Sequence, residues 1–379
     1  MKFLHLADLH LGKRYSELSL IDDQKYILGE ILKIADGEKP DGVLIAGDIY
    51  DKSVPSAEAV ELFDKFLCAL KERNLQVFAV SGNHDSAERI AFGAELMGAS
   101  GVHFSPVYDG KTKCISLFDG YGEVRVYLLP FIKPATVRRF FGDEKIESYT
   151  GALKAAVSAM NIDESVRNVL VSHQFVTGSK QTGSEEFMVG DIGNIDASVF
   201  DGFDYVALGH VHGAQNIGSE RLRYSGTPLK YSLSEAGGTK SVTVVELKEK
   251  GNLIVHEIPL IPMRDVVEIR GTYAELTSKN FYGGTTLGRD LVHIVLTDED
   301  EVVDALAKLR IIYPNVMSVR YDNKRTAAYG GSELLESVPS RSPYELFSAL
   351  YAAQNNAEMS EEQTKVVREL IEKVWGEEQ

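Results

Sequence analysis

The apolar run Val77-Phe78-Ala79-Val80, followed closely by Gly82-Asn83-His84-Asp85, decides how this chain is read. The run has the length and composition of a buried strand, and four flexible or polar residues arrive where it ends. In α/β folds, ligands bind at strand ends. Working back, Lys2 to Ala7 predicts an N-terminal strand ending in Asp8-Leu9-His10, and alternation places Asp8 and His10 on one side. Val43-Leu44-Ile45-Ala46 predicts a central parallel strand ending in Gly47-Asp48-Ile49-Tyr50-Asp51. Helices are predicted between them: Ile21 to Ala35, with Ile27, Leu28, Ile31, Leu32 and Ile34 as its stripe, and Ala57 to Arg73, with Val60, Phe63, Phe66, Leu67 and Leu70. Three successive strand-helix units each set carboxylate, amide or imidazole groups at a strand's C-terminal end.

Working forward, Lys113 to Leu117 and Val124 to Leu129 predict paired strands, and Gly151 to Met160 a helix. Val169-Leu170-Val171-Ser172-His173 and Tyr205 to His212 then repeat the pattern of a strand followed by ligand-type residues. Ser241 to Leu247 and Leu253 to Leu260 predict antiparallel strands. Past Pro262, Asp265 to Arg270, Leu291 to Leu296, Glu301 to Leu309 and Val316 to Val319 predict strand, strand, helix, strand, without catalytic residue types. Gly330-Gly331-Ser332 and Val338-Pro339-Ser340 read as a linker. Two helices follow, Tyr344 to Asn355 and Glu361 to Trp375, with caps at Ser342-Pro343 and Ser360. Their stripe of Leu346, Phe347, Leu350, Val366, Leu370, Ile371 and Val374 needs a cover. The expected division is 1–262, 263–328, a linker over 329–341, and a helical segment over 342–379.

At 379 residues and 44% hydrophobic content, one large domain with smaller additions is expected. The formal charge of −16 counts against holding nucleic acid by a basic face, so a polyanion must be met locally, by metals or a partner. Much of the acid lies late, at Glu358, Glu361, Glu362, Glu369, Glu372, Glu377 and Glu378, as a solvated helical face. Two cysteines, Cys68 and Cys114, cannot make a disulfide framework; their apolar neighbours predict core positions, in keeping with a reducing cytoplasm. Neither a secretory leader nor a run of 18 apolar residues is visible, so a cytoplasmic protein that does not span a membrane is expected.

The chemistry lies in Asp8, His10, Asp48, Asn83, His173, His210 and His212. Mixed carboxylate, amide and imidazole ligands suit Mn, Fe or Zn better than purely hard sites do. Seven groups can hold two cations if one carboxylate bridges them, and two-metal sites about 3.5–4 Å apart serve phosphodiester hydrolysis. Asp48, central among the acidic loops, is the expected bridge. A lone histidine at a strand end is usually structural, and turns favour Gly, Asn and Asp anyway. Of nine histidines, however, His10, His84, His173, His210 and His212 directly follow predicted strands, whereas His5, His103, His256 and His293 lie elsewhere and read as structural. That coincidence points to a metal site.

Asp8-Leu9-His10, Gly47-Asp48-Ile49-Tyr50-Asp51, Gly82-Asn83-His84-Asp85, His173 and Gly209-His210-Val211-His212 resemble the five motifs of the calcineurin-like metallophosphoesterases. Phe3 to Gly12 and Tyr224-Ser225-Gly226-Thr227-Pro228-Leu229-Lys230-Tyr231-Ser232 are similar, beyond the metal motifs, to that superfamily's SbcD family of nuclease subunits. The resemblance implies a four-layer α/β/β/α sandwich, a small α+β capping domain, and C-terminal helices that bind an SbcC-type ATPase. It implies two Mn ions, with Mg, Fe or Zn as alternatives, and no organic cofactor; ATP would be used by the partner. One metal would take Asp8, His10, Asp48 and His212, and the other Asp48, Asn83, His173 and His210. His84 would face the scissile phosphate and protonate the leaving oxygen.

One position departs from many relatives, which carry His where this chain has Asp51. A carboxylate there could pair with His84 and favour the imidazolium, or merely cap the turn before Pro55. Lys13, Arg14 and Arg89 are candidate phosphate contacts, although most surface cations are not. The resulting expectation is a DNA nuclease, 3′–5′ exonuclease on duplex ends and endonuclease on single strands or hairpins, dimeric and serving repair, replication and recombination. The rivals are a phosphatase or phosphodiesterase acting on a smaller substrate, and a non-catalytic scaffold of an ATPase. An intact His84 with all seven ligand types argues against the scaffold.

Overall fold

In the computed structural model, strands Lys2–Leu6, Gly42–Ala46 and Gln76–Val80 run parallel at the centre of a six-stranded sheet. The described residues are 1–15, 18–142, 146–180, 182, 194–323, 344, 347, 348, 350, 351 and 358–377, without the side chains of 369 and 372–377. Val102–Phe104 closes one edge of that sheet, and the antiparallel pair Ser241–Leu247 and Leu253–Pro259 closes the other. A second six-stranded sheet is built on Gly122–Leu129, Arg167–His173 and Tyr205–Gly209, again parallel. Its edges are Lys113–Asp119 and the pair Gln215–Ile217 and Ser219–Tyr224.

Alternation along each strand separates the layers. Phe3, Leu44, Ala46, Phe78 and Val80 meet Val126, Leu128, Val169, Val171 and Ala207 between the sheets. Leu4, Val43, Ile45, Val77 and Ala79 point the other way, onto helices Ile21–Glu38 and Ala57–Glu72. Tyr127, Leu129, Leu170, Val206 and Leu208 cover the outer face of the second sheet beneath Pro134–Phe141 and Tyr149–Ser158. Helices therefore lie on both outer faces of two stacked sheets, the expected four layers. The parallel strands end together at one rim.

The third sheet, Val266–Gly271, Leu291–Leu296 and Val316–Tyr321, is wholly parallel and has its own apolar cluster. Its first connection holds two short helices, Tyr273–Leu276 and Lys279–Tyr282, where the sequence pattern predicts none; the predicted 301–309 helix is confined to Ala305–Arg310. This unit meets the rim through Tyr15, whose hydroxyl lies 2.8 Å from His293 Nε2, and through the Arg264–Asp23 and Lys230–Asp265 pairs.

Two expectations about side chains fail. Cys68 and Cys114 are both exposed, because Cys68 lies on the outer face of its helix and Cys114 on an edge strand. Val60 is also exposed, since Ala59, Leu62, Phe63, Phe66 and Leu70 form the buried face instead. Near the C-terminus the linker over 329–341, Leu346 and most of the first predicted helix lie outside the described residues. The last helix, Glu361–Glu377, begins as expected: Ser360 Oγ accepts from Gln363 N at 3.2 Å, and Gln363 Oε1 accepts from Ser360 N at 2.9 Å. Phe347, Leu350, Val366 and Leu370 are exposed and Ile371 half-buried, while the Val374 side chain is not described. Among the described residues no helix is long and apolar enough to cross a membrane.

Candidate metal centre

The rim gathers all seven predicted ligand residues. Main-chain bonds join the first two loops, Asp8 N to Gly47 O (3.0 Å) and His10 N to Asp48 O (3.0 Å). Asp8, His10, Asp48 and His210 all have positive φ, four of the eight non-glycine residues that do so among those described. Such backbone costs about 1–3 kcal/mol per residue and persists where the surroundings over-determine it, commonly at functional sites. Gly82 is required by proximity: a Cβ there would lie 2.1 Å from Asp48 Oδ1.

Asp48 is the hub. Its Oδ1 accepts from His84 N at 2.9 Å. Its Oδ2 lies 3.4 Å from His173 Nε2, 3.7 Å from His10 Nε2 and 3.9 Å from His84 Nε2. On one side, His10 Nε2 and His212 Nε2 face each other at 3.2 Å, with Asp8 in the same cluster. On the other, Asn83 Oδ1 lies 3.0 Å from both His173 Nε2 and His210 Nδ1. His173 Nδ1 donates to Ala46 O at 2.8 Å, which leaves Nε2 to face the site. Asp8 accepts from His210 N at 3.0 Å.

The electrostatics fit divalent cations. Burial, aided by Asp48, pushes the Asp8 carboxyl up to about 7 against the pull of His173 and His212. Burial also pushes Asp48 upward, but His173, His10 and His84 outweigh it and hold the carboxyl well below its usual range. Burial holds His10 well below the usual imidazole value; for His173, Asp48 and Asp8 outweigh burial and lift it to about 9. His10 Nδ1 is buried without a hydrogen bond. Two buried carboxylates, four imidazoles and an amide oxygen form a donor set for Mn, Fe or Zn. The residues present therefore fit a pair of divalent ions.

His84 lies close enough to His10 and Asp48 to share an ion with them, but it is more exposed than the other histidines of the rim. Its side chain is 23% exposed, against 0–5% for the four clustered histidines His10, His173, His210 and His212. Its Nδ1 donates to the main-chain oxygen of Asp51 at 3.2 Å, so Nε2 is turned to the rim. Of the two readings of Asp51, the contact with His84 is made by its main-chain oxygen and not by its carboxylate. The Asp51 carboxylate instead takes Lys13 Nζ at 2.7 Å and lies 3.7 Å from His10 Nδ1, because the turn aims it back at the first loop. Lys13 is accordingly engaged at the rim, whereas Arg14 and Arg89 are exposed.

Sequence reasoning left Asp85 open and missed Gln24. Asp85 accepts from Gly82 N (2.9 Å), Ile49 N (3.0 Å) and Tyr50 N (2.9 Å). Burial and Asp48 push its carboxyl up to about 6 even so. Gln24, 1% exposed on the first helix, accepts from Gly12 N at 2.9 Å and donates to His10 O at 2.7 Å. Its position one turn before Ile27 and Leu28 was a weak signal, hidden among the neighbouring polar residues Asp22, Asp23 and Lys25. Tyr231, in the quoted 224–232 stretch, donates to Leu9 O at 2.5 Å and sets its ring edge-on to His10.

This fold and rim define a metal-dependent type of phosphoester hydrolase. A family model described as calcineurin-like phosphoesterase matches residues 1–214, and one described as type 5 capsule protein repressor C-terminal domain matches 262–355. The D chain of the SbcCD nuclease of Staphylococcus epidermidis is 32% identical over 323 residues, 84% of this chain and 85% of that protein. A dimetal phosphatase from Danio rerio is a looser likeness at 13% identity, covering 69% of this chain and 96% of that one with a TM-score of 0.40. A Thermus thermophilus protein gives 12% identity, 68% and 98% coverage, and a TM-score of 0.38. The chain belongs to the calcineurin-like phosphoesterases and, within them, to the SbcD family. It is a metal-dependent phosphoester hydrolase.

Proposed function

We propose that this chain is the nuclease subunit of an SbcC–SbcD type complex, a Mn-dependent DNA phosphodiesterase. The observation that carries the reading is the rim itself: six ligand-type side chains gathered with Asp48, and a His84 more exposed than His10, His173, His210 and His212, in a chain similar to an SbcCD nuclease subunit. Two Mn ions, one near Asp8, His10 and His212 and one near Asn83, His173 and His210, with Asp48 shared, would activate water and neutralise charge on the phosphate. His84, held through Nδ1, directs Nε2 toward the leaving oxygen and gives it a proton. Lys13, Arg14 and Arg89 contact flanking phosphates. Asp51 acts by holding Lys13 beside the first loop.

The wider reading covers 3′–5′ exonuclease action on duplex ends and endonuclease action on single strands or hairpins, in repair, replication and recombination in the cytoplasm. ATP is consumed by the partner. The division into 1–262, 263–328, 329–341 and 342–379 belongs to the same proposal, supported by the separate apolar cluster of the third sheet. The C-terminal stripe binds the ATPase, supported by exposed Phe347, Leu350, Val366 and Leu370. A homodimer is supported by Phe92 and Leu96, four residues apart and 83% and 82% exposed.

Incubating purified protein with Mn and duplex, single-stranded and hairpin DNA, with and without the ATPase and ATP, tests the whole. Metal-dependent DNA cleavage that the ATPase extends to duplex ends is expected. Hydrolysis of small phosphoesters with no cleavage of any DNA would overturn it.

A further inference from the structure

Two buried charges meet His212 on the side of the ring turned away from His10. Glu235 is 3% exposed, and its Oε1 lies 3.6 Å from His212 Nδ1. Its other oxygen pairs with the ammonium of Lys240, whose side chain is 9% exposed. Lys240 Nζ also donates to the main-chain oxygen of His212 at 2.8 Å and to Thr227 Oγ1 at 2.6 Å. Thr227 Oγ1 in turn donates to Glu235 Oε2 at 3.2 Å, and Tyr231 N donates to Glu235 Oε1 at 3.3 Å. One ion pair therefore reaches His212 at both ends, the ring through Glu235 and the carbonyl through Lys240.

Packing alone does not account for such a pair. Desolvating a carboxylate and an ammonium costs several kcal/mol each, and apolar residues of similar volume often hold a fold as well or better. Placement at the ring nitrogen opposite the one facing His10 is what a metal-ligating imidazole requires, since a carboxylate there fixes the ring's tautomer and aim.

We infer that Glu235 is a positioning residue for the metal centre: it holds the His212 proton on Nδ1, leaves the Nε2 lone pair to a divalent cation, and is itself held in place by Lys240. The inference rests on His212 being a metal ligand. Sequence pattern did not expose it, because Glu235 stands 23 residues beyond His212 in a short turn, Leu233–Glu235, with no motif of its own.

The test is Mn titration calorimetry on the full chain, beside urea unfolding, for wild type, Glu235→Gln, the double variant Glu235→Gln with Lys240→Met, and His212→Ala. Glu235→Gln should weaken one of two Mn sites by about 10–100-fold and leave the other unchanged. The double variant, relieved of an unpaired buried ammonium, should regain much of the unfolding midpoint while Mn binding stays weak. Recovery of both stability and affinity in the double variant, or wild-type Mn constants in Glu235→Gln, would show a purely structural ion pair and overturn the inference. Wild-type Mn binding by His212→Ala would overturn the ligand assignment beneath it as well.

Discussion

Asp85 accepts the amide of Ile49 at 3.0 Å, and with it the Tyr50 and Gly82 amides, so a single buried carboxylate pins the loop of Asp48 to the loop of Asn83 and His84. The spacing between Asp48, the proposed shared ligand, and His84, the proposed acid, is thus set by a third residue that bonds to the main chain of both loops.

Removing that carboxylate should therefore damage binding and stability together. Charge-assisted hydrogen bonds contribute about 1.5–3 kcal/mol each, and leaving three buried amides unmet costs at least as much as one such bond. Asp85→Ala is expected to lower unfolding free energy by about 3 kcal/mol or more and to weaken Mn binding. Urea unfolding and calorimetry, each with and without Mn, measure both. Full Mn affinity in a destabilised Asp85→Ala would mean that the loops hold their spacing without it.

His84→Gln should separate acid catalysis from metal holding. The variant should bind two Mn ions with little change and lose about 10²–10⁴-fold in kcat on DNA. With bis(p-nitrophenyl) phosphate, whose leaving group departs readily as an anion, the loss should shrink. An equal loss on both substrates would place His84 in phosphate binding rather than proton transfer, and loss of one Mn would make it a ligand.

His5 should make stability fall in mild acid. Its Nδ1 accepts from Tyr205 Oη at 2.8 Å and its Nε2 donates to Leu208 O at 3.2 Å, an arrangement that needs the neutral ring. Burial, with Arg223 nearby, lowers its pKa from 6.5 to about 3. The unfolded chain thus binds a proton that the folded chain refuses. The contribution is complete above 6.5 and is lost as pH falls toward 3, amounting to about 2 kcal/mol between pH 7 and pH 5. In urea unfolding at those two values, His5→Gln should lose about 2 kcal/mol less than wild type. Equal losses would assign the acid sensitivity to other groups.

The exposed C-terminal stripe should matter only to partner binding. Val366→Glu with Leu370→Glu is expected to weaken association with the ATPase by at least about 10-fold, as loss of central apolar anchors does. Mn binding and cleavage of small phosphodiesters should not change. A fall in the melting temperature of the isolated chain would show that the stripe docks on its own core instead.

Much of the fold was legible because the central strands are continuous apolar runs, buried on both faces. Leu4, Val43 and Val77 turn to one layer and Phe3, Leu44 and Phe78 to the next, and the polar residues just beyond them mark a common rim. What the sequence concealed depends on direction in space. Cys68 and Cys114 have apolar neighbours yet point outward, and Asp51 presents its carbonyl to His84 and its carboxylate to Lys13. The positive φ angles of Asp8, His10, Asp48 and His210 are only weakly signalled by residue type: Asp and His enter that region more readily than most residues, yet most of them stay out of it until a crowded rim forces them there. Gln24 and Glu235 reach the site from a helix and a turn that no motif marks.

Anomalous scattering from crystals grown with Mn tests the central claim most directly. Two peaks are predicted, one bounded by Asp8, His10 and His212 and the other by Asn83, His173 and His210, with the Asp48 carboxylate touching both. A single peak, or two peaks of which only one touches Asp48, would contradict a two-metal centre built on that residue.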